Sequence, residues 1–157
     1  MLVFINGSIN SGKTTVSKLL AEKLRAEFIN FDDINDTIPG FDLNKDIPKT
    51  FELGIKKINL LNAKGKDVVA NYVVRNEDWE RLLNDVDTKK KYLITLAPRL
   101  EVAHSNRGAR KLTDWEVSRV KFHYDTGIAN PKHGITIDNS DIPVEETVKQ
   151  ILKNIKR

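Results

Sequence analysis

The feature that most constrains this chain is a glycine-rich octapeptide, GSINSGKT, at residues 7–14. It satisfies the pattern G-x-x-x-x-G-K-[S/T], for which a chance match in a chain of this length is on the order of one in a hundred or less. The short apolar run at residues 2–6 predicts a strand buried on both faces, and the spacing of apolar residues over 13–26 predicts a helix. A loop of this composition between a strand and a helix predicts a phosphate-binding nest of backbone N–H groups.

Each residue type in this loop has a physical reason to be there. Glycine allows the backbone to turn its N–H groups inward, and the start of the helix adds its positive dipole end. Lys13 is expected to reach the β- and γ-phosphates of a nucleoside triphosphate, and the Thr14 hydroxyl is expected to bind Mg²⁺. The alternative is a glycine-rich turn with an incidental lysine. The candidate nucleotide contacts in the loop are Gly7, Ser8, Asn10, Ser11, Gly12, Lys13, Thr14 and Thr15.

Strands and helices alternate along the chain. Apolar runs predict further strands at residues 27–31, 67–74, 92–97 and 135–138. Helical spacing predicts helices at residues 50–63, 77–86, 99–106, 113–124 and 143–155, whereas residues 34–49, which contain Pro39, Gly40 and Pro48, predict a loop. This alternation predicts an α/β fold with a parallel sheet and helices on both faces, in a single domain over residues 1–157.

Polar residues follow the predicted strands at the ends where ligands bind in such sheets. Asp32 and Asp33 follow the second strand, and either could orient an acceptor hydroxyl, accept its proton or help to hold Mg²⁺. We favour Asp32, although the pair could instead cap the next segment and Asp36 could be the contacting acid. Arg75 follows the third strand and could bind an anionic substrate group or lie at the surface of a helix start.

Four arginines, at positions 99, 107, 110 and 119, lie around Gly108. Guanidinium groups stabilise the charge that develops on a transferring phosphoryl group, so a lid over residues 105–115 is expected to bring Arg107 or Arg110 to the phosphates. The alternative is a solvated basic face. Arg119 is the weaker candidate, because it lies inside a predicted helix and could pair with Glu116 or Asp125.

Composition narrows the function classes. The chain has no cysteine, which excludes disulfides, thiolate metal sites and cysteine nucleophiles. No apolar run approaches the roughly 18 residues that span a bilayer, and the first residues resemble a buried strand instead of a secretion signal, so a cytoplasmic location is expected. The net charge of +4 suits an anionic ligand but is smaller than that of most dedicated nucleic-acid binders. Trp79 and Trp115 lie in helical patterns typical of packing residues.

Four segments together carry a family resemblance: GSINSGKT, FDDINDTIP, NRGARKL and IDNSDIPVEETVKQIL. The chain resembles small kinases of the adenylate-kinase-like division, in particular shikimate kinase and chloramphenicol phosphotransferase. The resemblance implies a five-stranded sheet of order 2-3-1-4-5, with ATP and Mg²⁺ as nucleotide and cofactor. It gives Asp32 the position of the base, makes Arg107 and Arg110 lid arginines, and puts Asp138 and Asn139 near the nucleotide base. The stretch NYVVRNED differs from the glycine-rich run that shikimate kinases usually carry after strand three.

The sequence therefore predicts a kinase that moves the γ-phosphate of ATP to a hydroxyl of a small molecule, as a monomer or homodimer without a membrane partner. In this hypothesis Lys13 holds phosphate, Thr14 and Asp32 hold the metal, and Asp32, Asp33 and Arg75 face the acceptor. Two alternatives stay open. One is a nucleotide-binding or hydrolysing regulatory protein, although the chain lacks an N-K-x-D base-recognition motif. The other is a kinase of nucleic-acid 5′ ends.

Overall fold

A computed structural model describes residues 1–105 and 111–155 of the chain. Within these residues, five parallel strands form one sheet of order β2-β3-β1-β4-β5. The predicted strand order is confirmed. The strands are β1 (Leu2–Gly7), β2 (Glu27–Asn30), β3 (Val68–Tyr72), β4 (Lys91–Leu96) and β5 (Ile135–Ile137).

Helices cover both faces of this sheet, as the alternation of elements predicted. Their bounds are α1 (Lys13–Leu24), α2 (Phe31–Asn35), α3 (Ile47–Ala63), α4 (Trp79–Asn84), α5 (Leu100–Ala103), α6 (Asp114–Asp125) and α7 (Val144–Asn154). Side chains of α2, α3 and α4 pack with Leu2 and Phe4 on one face. Side chains of α1 and α7 pack with Val3 and Ile5 on the other face.

The central strand determines where a ligand can bind. β1 lies between β3 and β4, and every residue of β1 is buried, as expected for the middle of a parallel sheet. At its carboxyl end the Asn6 side chain donates to Thr95 Oγ1 (3.1 Å) and to the Ile128 carbonyl (3.0 Å), and accepts from the Val74 N–H (2.8 Å). One buried amide therefore ties together three segments that surround the start of the glycine-rich loop.

Several element boundaries differ from the sequence prediction by a few residues, and two of these differences lie beside the cavities described below. The second strand was predicted to continue to Phe31, but the Asn30 side chain accepts from the Asp32 N–H (3.3 Å) and begins helix α2. The predicted loop was expected to continue to residue 49, but α3 begins at Ile47. Pro48 fits in the first turn of α3, since the N–H that proline lacks would have had no intrahelical partner there.

An aromatic cluster fixes helix α2 against the sheet. The fully buried Phe31 ring lies 5.3 Å from Phe4, 5.5 Å from Phe51 and 5.8 Å from Tyr72, measured between ring centroids. The same ring packs directly on Gly54 of α3, where a Cβ atom would overlap it. Because Asp32 is the next residue, the packing of Phe31 determines where that carboxylate lies.

We predict that Gly54→Ala lowers the free energy of unfolding by about 1–3 kcal/mol, the usual cost of overpacking. Alanine has the higher intrinsic helix propensity by about 1 kcal/mol, so a loss of stability isolates the overlap with Phe31. Urea denaturation of Gly54→Ala, Phe31→Leu and the double variant tests this. The double variant should lose less stability than the sum of the single changes, and a Gly54→Ala variant as stable as the parent would contradict the packing.

Candidate active site

Three adjoining cavities lie at the carboxyl edge of the sheet. A large cavity of about 450 Å³ lies between α2, the end of β3 and α6. A loop cavity of about 350 Å³ lies over the glycine-rich loop, and a rear cavity of about 350 Å³ lies between that loop and α7. Ile9 and Asp32 line both the large and the loop cavity, whereas Asn10, Gly12 and Thr15 line both the loop and the rear cavity. Because neighbouring cavities share lining residues, the three together are called the cleft below.

The glycine-rich loop has the concave shape that its sequence predicts. Its turn is closed by a hydrogen bond from the Ser11 N–H to the Ser8 carbonyl (3.2 Å), and Gly12 adopts a φ of +85° that favours glycine. A Cβ atom on Gly7 would overlap the buried Ser11 hydroxyl. Asn10, also at positive φ, donates its side-chain amide to the Ala103 and Ser105 carbonyls at 2.8 Å each. Asn10 therefore ties the loop to the end of α5.

Helix α1 presents its N-terminus to the loop cavity. Its N-cap residue is Gly12, which has no side chain to cap this end, and no acidic residue lies in the first turn. The first N–H groups of a helix lack intrahelical partners, so together with the helix dipole they favour an anion there. Thr14 and Thr15 of the same turn line the loop cavity.

Lys13 is the first residue of α1 and is only 8% exposed. Its Nζ donates to the Ser8 carbonyl (3.2 Å). Burial lowers the pKa of Lys13, and the negative charge of Asp32 partly offsets this effect. A phosphate in the loop cavity would further favour the charged ammonium group.

The structure separates the two adjacent aspartates. Asp32 lines both the large and the loop cavity. Asp33 lines neither of them, and its carboxylate accepts from the Asn30 side-chain amide (3.0 Å). Asp32 thus lines both cavities, whereas Asp33 is bonded to the side chain of Asn30, the residue that caps α2.

The cleft alters the acidity of Asp32. The side chain reaches solvent through the cavities, but partial desolvation raises the pKa of the carboxyl group. The Lys13 charge lowers this pKa, whereas the charges of Asp33 and Asp36 raise it. An aspartate with a raised pKa is a stronger base than an exposed one once it is ionised.

Arg75 lies in the wall of the large cavity, but its charge is already paired. Its Nε (2.7 Å) and its Nη2 (3.3 Å) both donate to the buried carboxylate of Asp78. The Glu77 carboxylate oxygen Oε1 lies 3.3 Å from the same Nε. These contacts raise the pKa of Arg75. A substrate anion would have to compete with two carboxylates for this guanidinium group.

Helix α6 supplies the opposite wall of the large cavity. Trp115 (57% exposed) and Phe122 (45% exposed) line this cavity. The interpretation of Trp115 as a packing residue was therefore wrong. Trp79 is fully buried, as predicted. The Arg119 guanidinium lies 4.7 Å from the Phe122 ring centroid and 5.9 Å from that of Trp115. Asp125, one of its predicted partners, pairs with Lys121. The three residues form what we call the α6 wall: Trp115, Arg119 and Phe122.

The sequence carried a signal for this wall that the prediction did not use. Residues 115, 119 and 122 follow the i, i+4, i+7 spacing of one helix face. Spacing alone cannot tell whether such a face packs on the core or borders a cavity. Tyr72, Asn35 and His123 also line the large cavity and were not predicted as site residues.

Asn139 supports the glycine-rich loop from the side of the rear cavity. Its side-chain amide donates to the Ser11 carbonyl (2.9 Å), and the residue is nearly fully buried. Asp138 accepts from the Ser140 N–H (2.9 Å). Asn139 thus lies beside the loop and lines the rear cavity. Its placement near a nucleotide base stays a prediction.

Arg107 and Arg110 lie outside the described residues, and the lid predicted at residues 105–115 is described only at its two ends. Thr113 begins α6 with the predicted capping box. Its hydroxyl accepts from the Glu116 N–H (3.2 Å), and the Glu116 carboxylate accepts from the Thr113 N–H (2.9 Å).

The donors in the loop cavity fit magnesium. Mg²⁺ in phosphate sites takes one or two protein oxygens and completes its shell with phosphate and water oxygens. Thr14 and Asp32 present a hydroxyl and a carboxylate to the loop cavity. In residues 1–105 and 111–155 there is no cluster of three or more His, Cys, Asp or Glu side chains suited to hold a metal without such a ligand. The same residues contain no helix long and apolar enough to cross a membrane.

Relatives of this chain are kinases. A protein of Thermococcus kodakarensis named "Putative adenylate kinase" is 30% identical over 165 residues, an alignment that covers 100% of this chain and 86% of that protein. The shikimate kinase of Thermodesulfovibrio yellowstonii is 29% identical over 91 residues and matches 53% of each chain. No family model matches the chain.

Solved structures share the fold at lower identity. A sugar kinase from Janibacter sp. HTCC2649 superposes with a TM-score of 0.75 at 18% identity, over 97% of this chain and 92% of that one. A gluconokinase from Sinorhizobium meliloti 1021 superposes with a TM-score of 0.73 at 16% identity, over 96% and 89%. With its sheet order and its loop, the chain belongs to the P-loop small-molecule kinases of the adenylate-kinase-like type.

We predict that the Asp32 carboxyl titrates above the ordinary value of 3.8. Asp33→Asn should lower the pKa of Asp32, because a like charge is removed, and Lys13→Met should raise it, because an opposite charge is removed. The side-chain carboxyl carbon of Asp32, followed by NMR against pH in the nucleotide-free protein, measures both shifts. A pKa at or below 3.8, or shifts of the opposite sign, would contradict the described electrostatics.

Proposed function

We propose that this chain is an ATP-dependent phosphotransferase that moves the γ-phosphoryl group to a hydroxyl of a small molecule bound in the large cavity. The observation that carries this proposal is the position of Asp32. Its carboxylate lines both the large cavity and the loop cavity, at the point where a phosphoryl group would pass from one to the other. The kinase names of the relatives support the reaction class.

In this proposal the glycine-rich loop holds the triphosphate. The free N–H groups of the first turn of α1 and the Lys13 ammonium face the β- and γ-phosphates. The nucleoside extends toward the rear cavity, beside Asn139. Thr14 and Asp32 hold Mg²⁺, which neutralises charge on the β- and γ-phosphates when bound.

Asp32 then orients the acceptor hydroxyl and accepts its proton. As that proton moves to the carboxylate, the hydroxyl oxygen bonds to the γ-phosphorus and the bond from that phosphorus to the oxygen of ADP breaks. The raised pKa of Asp32 favours proton acceptance. Arg107 and Arg110 keep their predicted role of stabilising the transferring group from the lid.

The large cavity favours a small acceptor. Its volume of about 450 Å³ is in the range of ordinary small-molecule sites. Arg75 is paired with Asp78 and Glu77, so an acceptor carboxylate has no ready partner on that side. The Arg119 guanidinium is stacked on rings and is not paired with a described carboxylate, so the α6 wall suits a flat or anionic part of the acceptor.

A second candidate acceptor is a nucleoside monophosphate. The name of the Thermococcus kodakarensis protein favours this acceptor. The Arg119 guanidinium in the α6 wall also favours it, because the acceptor's phosphate would need a cation as partner. In that case the attacking oxygen belongs to phosphate and carries no proton. Asp32 would then act on the metal alone.

We predict that Asp32→Asn lowers phosphoryl transfer by about 100-fold or more, the usual contribution of a positioned base. MgATP affinity should fall by a much smaller factor, because the loop N–H groups, Lys13 and Thr14 still bind the phosphates and the metal. Asp33→Asn is the matched control, because it makes the same change on the same helix at a residue that lines neither cavity. Product formation followed by mass spectrometry, with calorimetric MgATP binding, measures the two effects. An equal loss in both variants, or an equal loss of MgATP affinity in Asp32→Asn, would contradict the role of Asp32 as base.

The acceptor is identified by ADP release with MgATP, alone and with shikimate, gluconate, nucleosides, AMP, chloramphenicol, aminoglycosides and a 5′-hydroxyl oligonucleotide. We expect a sharp rise with one class of small hydroxylated acceptor and a matching phosphorylated product. Turnover of AMP instead of a nucleoside would favour the second candidate. Steady ADP release that no acceptor changes would overturn the proposal in favour of a hydrolysing protein.

A further inference from the structure

A buried histidine joins the two halves of the cleft. His123, on α6, is 2% exposed, and its Nδ1 lies 3.0 Å from the Oγ of the fully buried Ser8 in the glycine-rich loop. These residues are 115 positions apart in the chain. No step of the proposed phosphoryl transfer uses this imidazole, although His123 also borders the large cavity.

Ser8 passes this contact on to the phosphate-binding lysine. The Ser8 carbonyl accepts both from Lys13 Nζ and from the Ser11 N–H, at 3.2 Å each. The hydroxyl of one residue is thus held by α6, while its carbonyl orients the lysine and closes the turn of the loop. A phosphate that draws Lys13 away from this carbonyl must disturb the contacts of Ser8.

The imidazole suits a permanent hydrogen bond. Burial, together with the positive charges of Arg119 and Lys13, lowers the pKa of His123 to about 4. The ring is therefore neutral near pH 7, with one N–H donor and one acceptor nitrogen. The Ser8 hydroxyl can donate or accept, so the contact is satisfied in either tautomer.

The other end of the connection is the α6 wall. His123 follows Phe122 and lies one turn beyond Arg119, so a shift of His123 moves the ring and the guanidinium that border the large cavity. The turn after α6 is tied back by hydrogen bonds from the Ala129 N–H to the His123 carbonyl (3.1 Å) and from Asn6 to the Ile128 carbonyl (3.0 Å). Because these hydrogen bonds fix the C-terminal end of α6, a shift of His123 is expected to move the N-terminal part of α6, which carries Trp115.

We propose that His123 is a positioning residue that couples the phosphate-binding loop to the α6 wall through its hydrogen bond to Ser8. Nucleotide phosphates in the loop shift Ser8, and the hydrogen bond to His123 transmits this shift to Trp115, Arg119 and Phe122. Nucleotide binding therefore changes the position of the α6 wall, and with it the shape of the large cavity that receives the acceptor. This inference rests on the nucleotide binding of the proposed function. It concerns the connection between the two cavities and not the identity of the acceptor.

The test uses the emission of Trp115, which is exposed on α6, whereas Trp79 is fully buried. The full chain is titrated with MgADP and with a magnesium complex of a non-hydrolysable ATP analogue, and binding is measured in parallel by calorimetry. We expect the wild-type protein to change its emission on binding. The Trp115→Phe variant should bind the nucleotide without this change in emission. That result would assign the emission change to Trp115.

Two isosteric variants separate coupling from packing. His123→Leu, which keeps the bulk but cannot bond to Ser8, should bind nucleotide and lose most of the emission response. His123→Asn carries a polar atom near the position of Nδ1 and should retain the response. Ser8→Ala should lose it as well, and the double variant Ser8→Ala/His123→Leu should lose no more than either single variant. If His123→Leu does not fold, Ser8→Ala carries the same comparison.

Each result bears on the proposal. A full emission response in His123→Leu or Ser8→Ala would overturn the coupling, and so would wild-type binding without any emission change. Loss of the response in His123→Asn equal to that in His123→Leu would assign the effect to packing and also overturn it. Absence of nucleotide binding by the wild-type protein would overturn the proposed function and this inference together, a result that calorimetry alone identifies.

Discussion

The uncapped first turn of α1 is the constraint on which the rest of the site depends. Its N-cap residue is Gly12, which has no side chain to bond to the N–H groups of this turn, and the helix begins at the carboxyl end of the central strand. Such a helix end is stable only with water or an anion in front of it, so the loop before it must turn away and leave a cavity. Gly7 allows the loop to close over Ser11, and Gly12 adopts the positive φ that brings the chain back into the helix.

Burial and neighbouring charges shift the pKa values of three groups around this cavity. Lys13 is buried and its pKa is lowered, the pKa of Asp32 is raised, and His123 is kept neutral by burial and by neighbouring cations. Desolvated charges lower stability, and they cluster where a bound ligand supplies the missing partner. A phosphate beside Lys13 and a metal ion beside Asp32 would each supply one.

Much of the fold and part of the site could be predicted from the sequence because the signals are local. The octapeptide at residues 7–14 is a contiguous motif, and alternating apolar runs give the layers and the approximate bounds of the strands. The capping box at Thr113 and Glu116 was also readable, since its two contacts lie within one turn. Asp32 was placed in the cleft for the same reason, by its position directly after a strand.

The rest depends on contacts between distant segments. Asp32 and Asp33 have the same chemistry and adjacent positions, and it is the start of α2 after Asn30 that directs Asp32 to the cavities and Asp33 to the Asn30 side chain. Trp115 has the spacing of a core residue, and its exposure follows from how α6 lies on the sheet. The contact of His123 with Ser8 spans 115 residues and has no signature in a single sequence.

The central claim is that a phosphoryl group passes from the loop cavity to the large cavity beside Asp32. A crystal structure with MgADP and aluminium fluoride, whose planar complex imitates the transferring group, tests it most directly. The account predicts that the fluoride complex lies between ADP and the large cavity, with Lys13 Nζ and the metal bound to it and the Asp32 carboxylate next to its open side. A complex bound on the side of the rear cavity, or one that leaves Asp32 facing solvent only, would contradict it.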